Sequence, residues 1–286
     1  MTLRVFAPAK INLSLHVGRP QADGRHPLES IVVFADAGDY IWAEDAERPS
    51  LAIAGPFGAA LAAESNNLVV RAAQLLAAGA GLQNGVKLTL QKNLPIASGI
   101  GGGSSDAAAA LHALNKLWAL GMTDAELANV GAALGADVPA CVYGRSCFMT
   151  GAGETVAPID ISALSAVLIN PGKLAPTGAV YRRFDELNLG GGFVRTAPPS
   201  WRDREEALSI LSFMRNDLTA PAKDVAPAIA DVFSLLDSLG GARLTRLSGS
   251  GATVFAIADD AQAADLLAVR ISETRPNWWV KPTRLG

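Results

Sequence analysis

The run Pro95-Ile96-Ala97-Ser98-Gly99-Ile100-Gly101-Gly102-Gly103-Ser104-Ser105-Asp106 constrains this chain more than any other stretch. An alternating apolar segment, Val86 to Leu90, precedes it, and an alanine- and leucine-rich helical segment, Ala107 to Leu120, follows. The pattern is strand, glycine turn, helix. Four glycines in five positions remove the Cβ atoms that would hold an anion away from the backbone, and they permit φ > 0. N–H groups at a helix start then converge where the helix dipole favours negative charge. Ser104 and Ser105 can cap the helix or donate to phosphate oxygens. The stretch reads as a phosphate cradle. The plainer alternative is a flexible turn with a serine cap, but single glycines serve turns well enough, and four meeting at one helix start do not fit it. Two familiar phosphate motifs are excluded: no Gly-Lys-Ser/Thr ends the loop, and Gly99-Ile100-Gly101 lacks the spacing G-x-G-x-x-G.

At 286 residues the chain is long enough for one large or two ordinary domains, each with its own core. Half of it is hydrophobic and 18% is charged, the composition of a compact globule. A net charge of −3 gives no reason to expect a nucleic-acid or membrane partner. Cys141 and Cys147 are not spaced as a zinc or redox pair and read as buried free thiols in a reducing compartment. With no secretory signal pattern and no apolar run of spanning length, the expected location is the cytoplasm.

Along the chain, Leu3–Phe6 and Ile11–Val17 read as two strands around Pro8-Ala9-Lys10, followed by a turn at Asp23-Gly24. Strands are expected at Leu28–Phe34 and Tyr40–Ala43, then a helix capped by Asn66 or Asn67 and stopped at Gly79. Thr123-Asp124-Ala125-Glu126 is a capping box for a further helix. Cys147–Thr150 and Ala166–Asn170 are expected strands, Pro171–Gly178 a loop, and Gly190–Ser200 a mobile surface connection. Helices at Arg204–Phe213 and Val225–Leu239 precede a strand–turn–strand around Ser248-Gly249-Ser250-Gly251. A helix at Ala261–Ile271 and a strand at Trp278–Lys281 close the chain. The fold class is α+β, in two domains (1–157 and 158–286) with the site in the cleft between them.

Several residues carry potential chemistry, each with a plainer alternative. Asp137, just past a helix end in an apolar segment, can accept a proton or cap the next turn ahead of Pro139. Lys10 lies among apolar neighbours, where an ammonium offsets charge, although most lysines are solvated. Asn12, two residues on, shares its strand face. His26 is a lone histidine after Asp-Gly, and Gly249-Ser250-Gly251 is explained equally well by a hairpin.

The glycine loop resembles that of the GHMP kinases, Pro-x-x-x-Gly-Leu-Gly-Ser/Gly-Ser-Ser-Ala, with Ile100 for leucine and Gly103 inserted. Pro8-Ala9-Lys10-Ile11-Asn12-Leu13, Asp23-Gly24-x-His26-x-Leu28-x-Ser30, Gly135-Ala136-Asp137-Val138-Pro139, Asn216-Asp217-Leu218 and Leu247-Ser248-Gly249-Ser250-Gly251-Ala252 extend the likeness in family order. They resemble the members that act on a cytidine diphosphate derivative of methylerythritol. The resemblance implies a two-domain GHMP kinase fold and transfer of the ATP γ-phosphoryl group to the tertiary 2-hydroxyl of that small molecule. Mg2+ is expected from ATP chemistry; no acidic cluster identifies its ligands, and Asp106 and a loop serine are the candidates.

By the same likeness, Asp137 is the general base and Lys10 its catalytic partner. Pro95, Ile96, Ala97, Ser98, Gly99, Ile100, Gly101, Gly102, Gly103, Ser104 and Ser105 bind the ATP phosphates, with Asn67 and Lys92 near the nucleotide. Asn12, Arg25, His26, Asp137, Thr177, Tyr181, Gly249 and Ser250 bind the substrate, His26 reading the cytosine edge. One position departs from the family: Arg25 stands where a tyrosine usually stacks on the base. A guanidinium plane also stacks on bases, and Tyr181 supplies an aromatic for the other side. A kinase for another small alcohol and a nucleotide-binding regulatory module are the rival readings. Oligomeric state is not legible.

Overall fold

The computed structural model describes residues 2–61, 66–82, 85–191 and 197–286. They form two compact units. One comprises Met1–Ala9, Gly38–Ile96 and Gly101–Gly144; the other comprises Lys10–Ala37, Ala97–Ile100 and Arg145–Gly286. Where the sequence suggests one boundary at 157/158, each unit is assembled from three segments, because both N-terminal strands run from one unit into the other.

Those strands, β1 (Leu3–Val17) and β2 (Leu28–Ala46), are each continuous where the sequence suggests a break. Pro8 lacks only a donor, and a strand tolerates that where the N–H is not needed. In β2 the polar run Ala35-Asp36-Ala37-Gly38-Asp39 reads as a gap, but its carboxylates have fixed partners. Asp36 accepts from the Thr283 hydroxyl and from Arg284 N (3.0 Å). Asp39 Oδ1 accepts from Asn93 N (2.5 Å) and Leu94 N (2.9 Å). Hydrogen-bonded carboxylates cost a strand far less than unpaired ones.

In the first unit, β3 (Ser50–Ala54) lies parallel to β4 (Gly85–Gln91), which pairs antiparallel with Tyr40–Ala46 of β2. Helix α1 (Leu68–Gly79) starts at Asn67, whose Oδ1 accepts from Val69 N at 2.9 Å. It packs on α2 (Gly102–Leu117), where Ala107–Leu111, Ala113 and Leu114 are all buried. The small side chains let α2 sit deep in the unit. Helix α3 (Asp124–Ala132) begins with the expected capping box between Thr123 and Glu126, and α4 (Val138–Tyr143) is a short helix not legible beforehand.

In the second unit, Ser30–Val32 of β2 pairs with β5 (Cys147–Thr150), which pairs with β6 (Thr155–Pro158). Strand β7 (Leu164–Asn170) and helix α5 (Thr177–Glu186) follow, so the expected Pro171–Gly178 loop ends in a helix. Helix α6 (Arg204–Phe213) has the expected bounds. The helix expected at Val225–Leu239 starts three residues later, after Pro227, as α8 (Ala228–Leu239), and a further short helix, α7 (Thr219–Val225), precedes it. Strands β8 (Leu244–Leu247) and β9 (Val254–Ile257), helix α9 (Ala261–Thr274) and β10 (Trp279–Leu285) complete an antiparallel sheet ordered β10-β7-β9-β8. Its core joins Val167, Ile169, Val254 and Ala256 to Phe184, Ile229, Val232, Leu236, Leu267 and Ile271. Of the connection expected at 190–200, residues 192–196 lie outside the described residues. Both cysteines are buried and outside any disulfide, and no helix among the described residues is long and apolar enough to cross a membrane.

Candidate active site

Helix α2 begins earlier than its apolar pattern suggests. Gly101 is the N-cap with φ +63°, and Gly102, Gly103, Ser104 and Ser105 form the first turn rather than a loop. Four successive small residues without branched side chains tolerate either state, which is why the boundary is not legible. The first helical bond runs from Ser105 N to Gly101 O at 2.9 Å, so the N–H groups of Gly102, Gly103 and Ser104 precede the ladder. They stand at the positive end of a 16-residue helix. Ser105 donates to Cys141 Sγ instead of capping.

Beneath that helix start lies a buried ion triad. Lys92 Nζ is 2.5 Å from Asp39 Oδ2 and 2.6 Å from Asp106 Oδ2, and all three side chains are almost fully buried. A Cβ on Gly102 would sit 2.9 Å from Lys92 Nζ, so this glycine makes room for the ammonium. Burial is the largest influence on the Asp106 carboxyl, which is pushed up to about 7 although Lys92 opposes the shift. Burial alone would lower Lys92, but the two carboxylates outweigh it and hold the ammonium charged. Asp106 Oδ1 is buried without a hydrogen-bond partner among the described residues. Lys92, expected beside a nucleotide, has its ammonium committed to these carboxylates.

In the second unit the two glycine turns meet backbone to backbone. Ser248 Oγ donates to Gly99 O at 2.9 Å and accepts from Asn12 N at 3.2 Å, while Thr253 N donates to Ser98 O at 3.0 Å. A Cβ on Gly99 would run into Ser248 O and lie 2.5 Å from Gly251 N, and one on Gly249 would lie 2.6 Å from Gly99 O. Only glycine permits that approach. Asn216 holds the second turn from below, donating from Nδ2 to Leu247 O and Gly249 O, both at 2.8 Å. Ile100 is core, and its carbonyl accepts from Lys10 N at 2.9 Å.

Lys10 is only 3% exposed, which excludes a solvated edge lysine. Its Nζ reaches Asn12 Oδ1 at 3.4 Å, as their shared strand face requires, and Asn12 Nδ2 donates to Ser30 Oγ at 2.7 Å. Ser30 passes the chain of bonds on to Ser14 O at 2.6 Å. Further along, Thr177 opens α5 with its hydroxyl 3.0 Å from that of Ser250.

His26 follows a turn in which Gly24 has φ +78°. Its ring packs against Tyr181 (centroids 4.9 Å apart) and Phe184 (5.8 Å), and Nε2 lies 2.8 Å from Asp185 Oδ1. All three partners project from α5, so Tyr181 is a helical residue, not one in a loop. Arg25 is exposed. In the first unit, Asp137 adopts helical dihedrals at the N-cap of α4 and its side chain caps nothing there.

Ser248, Asn216, Asp39 and Asp185 were not legible as site residues. Asn216 and Ser248 sit inside matched motifs, which is the one signal that points to them.

The sequence profile of the GHMP kinases N terminal domain matches residues 67–145, and that of the GHMP kinases C terminal domain matches residues 199–277. The chain belongs to the GHMP kinases. It is 45% identical, across its full length and 99% of the relative, to the 4-diphosphocytidyl-2-C-methyl-D-erythritol kinase of Caulobacter sp. (strain K31). The kinase of the same name from Hyphomonas neptunium (strain ATCC 15444) is also 45% identical, over all of this chain and 97% of the relative. A crystal structure of 4-(cytidine 5'-diphospho)-2C-methyl-D-erythritol kinase superposes with TM-score 0.79 at 31% identity, covering 99% of this chain and 100% of that one. L. major mevalonate kinase shares the fold alone, with TM-score 0.67 at 16% identity over 99% and 96% of the two chains. Within the GHMP kinases, the branch this chain falls in is that of the 4-diphosphocytidyl-2-C-methyl-D-erythritol kinases.

Proposed function

We propose that the protein transfers the γ-phosphoryl group of ATP to the 2-hydroxyl of 4-diphosphocytidyl-2-C-methyl-D-erythritol. The products are the 2-phosphate and ADP, in the methylerythritol phosphate route to isoprenoid precursors in the cytoplasm. The observation that carries this reading is 45% identity, over the whole chain, with kinases named for that substrate.

In this reading the free N–H groups at the start of α2 receive phosphate oxygens, with no side chain in the way. Such enzymes do little covalent work, so positioning and charge stabilisation dominate. Asp137 accepts the hydroxyl proton, and the buried Lys10, fixed by Asn12, offsets charge as the phosphoryl group passes. Asn12, Thr177, Gly249 and Ser250 orient the polyol diphosphate, while His26, Tyr181 and Arg25 hold the base. Asn67 keeps its amide for the nucleotide side, its carbonyl being spent on the helix cap.

Mg2+ fits as a passenger of the nucleotide. Among the described residues no cluster of three or more His, Cys, Asp or Glu could hold a metal, and the spare carboxylate oxygen is Asp106 Oδ1. Mg2+ commonly takes one or two carboxylates plus phosphates and water, and when bound it neutralises charge on the phosphates.

The test is a coupled ADP-release assay on a panel of alcohols. Turnover with the cytidyl substrate, and not with mevalonate, homoserine or galactose, supports the reading. Preference for another alcohol removes it.

A further inference from the structure

Asp185 is placed where a helix does not want it. It lies in the last turn of α5, and a negative charge there opposes the helix dipole. Its neighbours offer no compensation: Arg183 is engaged by Asp224 (2.7 Å) and Glu186 (3.2 Å). What Asp185 does contact is His26, Oδ1 to Nε2 at 2.8 Å. A carboxylate only accepts, so the hydrogen in this bond belongs to Nε2. Neutral imidazole carries one hydrogen, which leaves Nδ1 as a bare lone pair. Nδ1 has no hydrogen bond among the described residues. The ring is otherwise fixed by Tyr181 and Phe184, and only 8% of the side chain is exposed. The histidine is thus locked in one tautomer, with one acceptor on offer.

We propose that Asp185 is a specificity-positioning residue: by holding the Nε2–H of His26, it presents Nδ1 as an acceptor for an exocyclic amine and so selects a cytidyl over a uridyl substrate. The proposal rests on the cytidyl reading above. Cytosine offers an amine hydrogen at position 4; uracil offers a carbonyl oxygen there, and two lone pairs would face each other. A site built around a hydrogen bond discriminates strongly against the analogue that cannot make it. An amide in place of the carboxylate can still accept through its oxygen but also offers an N–H to Nε2, which releases the lock and admits the tautomer with its hydrogen on Nδ1, as in the aspartate-to-asparagine change in a serine protease triad.

Two measurements test this on the full chain. Nitrogen-15 NMR of the ligand-free protein, with His26 assigned by a His26→Gln variant, should show the neutral ring carrying its hydrogen on Nε2. In steady-state assays Asp185→Asn should cut the cytidyl-to-uridyl preference in kcat/KM by about tenfold or more. The change should appear in KM for the nucleotide-bearing alcohol, with kcat and KM for ATP within about twofold, and Asp185→Glu should restore part of it. A neutral wild-type ring carrying its hydrogen on Nδ1, or an unchanged preference in folded Asp185→Asn, overturns the proposal. A wild type that turns over neither substrate overturns the cytidyl reading and the proposal's selectivity with it. That case is separable, because the nitrogen spectrum is recorded without substrate.

Discussion

Ser248 donates its hydroxyl to the carbonyl oxygen of Gly99 at 2.9 Å, tying a turn near the C-terminal end to the glycine-rich turn 149 residues earlier. Ser248 is fully buried, so Ser248→Ala leaves the Gly99 carbonyl unsatisfied. The expected cost is about 1–3 kcal/mol of stability, read from urea unfolding. Gly249→Ala should cost at least as much, because its Cβ would stand 2.6 Å from Gly99 O at a φ of +52°. Wild-type unfolding curves for both variants would contradict the backbone contact.

The ion triad predicts an asymmetry. Lys92→Met leaves two buried carboxylates without their cation and should destabilise the protein by about 3–5 kcal/mol. Asp106→Asn keeps an acceptor for Lys92 and should cost much less. Equal losses for the two variants would mean that Lys92 does not hold the triad together.

For the base, Asp137→Asn should lower kcat by about 10²-fold or more, with ATP affinity by calorimetry nearly unchanged. Asparagine is close to isosteric with aspartate, and circular dichroism checks that the fold is retained. Near-normal turnover in the folded variant would demote Asp137 to a structural role.

At the base pocket, Tyr181→Ala should cost about 1–3 kcal/mol of cytidyl substrate binding, the range for base–aromatic stacking. Tyr181→Phe keeps the ring that packs on His26 and should be nearly silent. Arg25 is exposed, so Arg25→Ala should show the same selectivity for the cytidyl KM with a smaller effect. An unchanged cytidyl KM in Tyr181→Ala would separate Tyr181 from the base.

His16 carries a pH signature. Burial lowers its pKa from the usual 6.5, and its Nε2 accepts from Arg215 N at 3.4 Å, a bond that protonation removes. The unfolded chain then binds more protons than the native one, so stability should fall as pH drops below about 6.5. His16→Gln should flatten that limb of a stability–pH curve. A decline of equal slope in the variant would assign it to other groups.

Periodicity and glycine placement made the scaffold legible: the strand, glycine turn and helix order, the capping box, α6 and the second glycine turn are where the sequence suggests. Misplacements have local causes. Asp36 and Asp39 read as a break in β2 because their partners, Thr283, Asn93 and Leu94, are remote in sequence. The space left by the missing side chain of Gly102 is taken by the Lys92 ammonium, a packing role that the glycine run does not disclose. Asp185 is silent in sequence because its meaning depends on a histidine 159 residues away. Local chemistry shows in a sequence; pairings across long separations do not.

The central claim, that a phosphoryl group reaches a tertiary hydroxyl, has a direct signature in phosphorus NMR of the product mixture. A phosphate on the 2-position has no hydrogen on its carbon, so its new monoester resonance should show no three-bond proton splitting and should grow in step with ADP. A triplet would place the phosphate on a primary alcohol and a doublet on a secondary one, and either pattern would contradict the account.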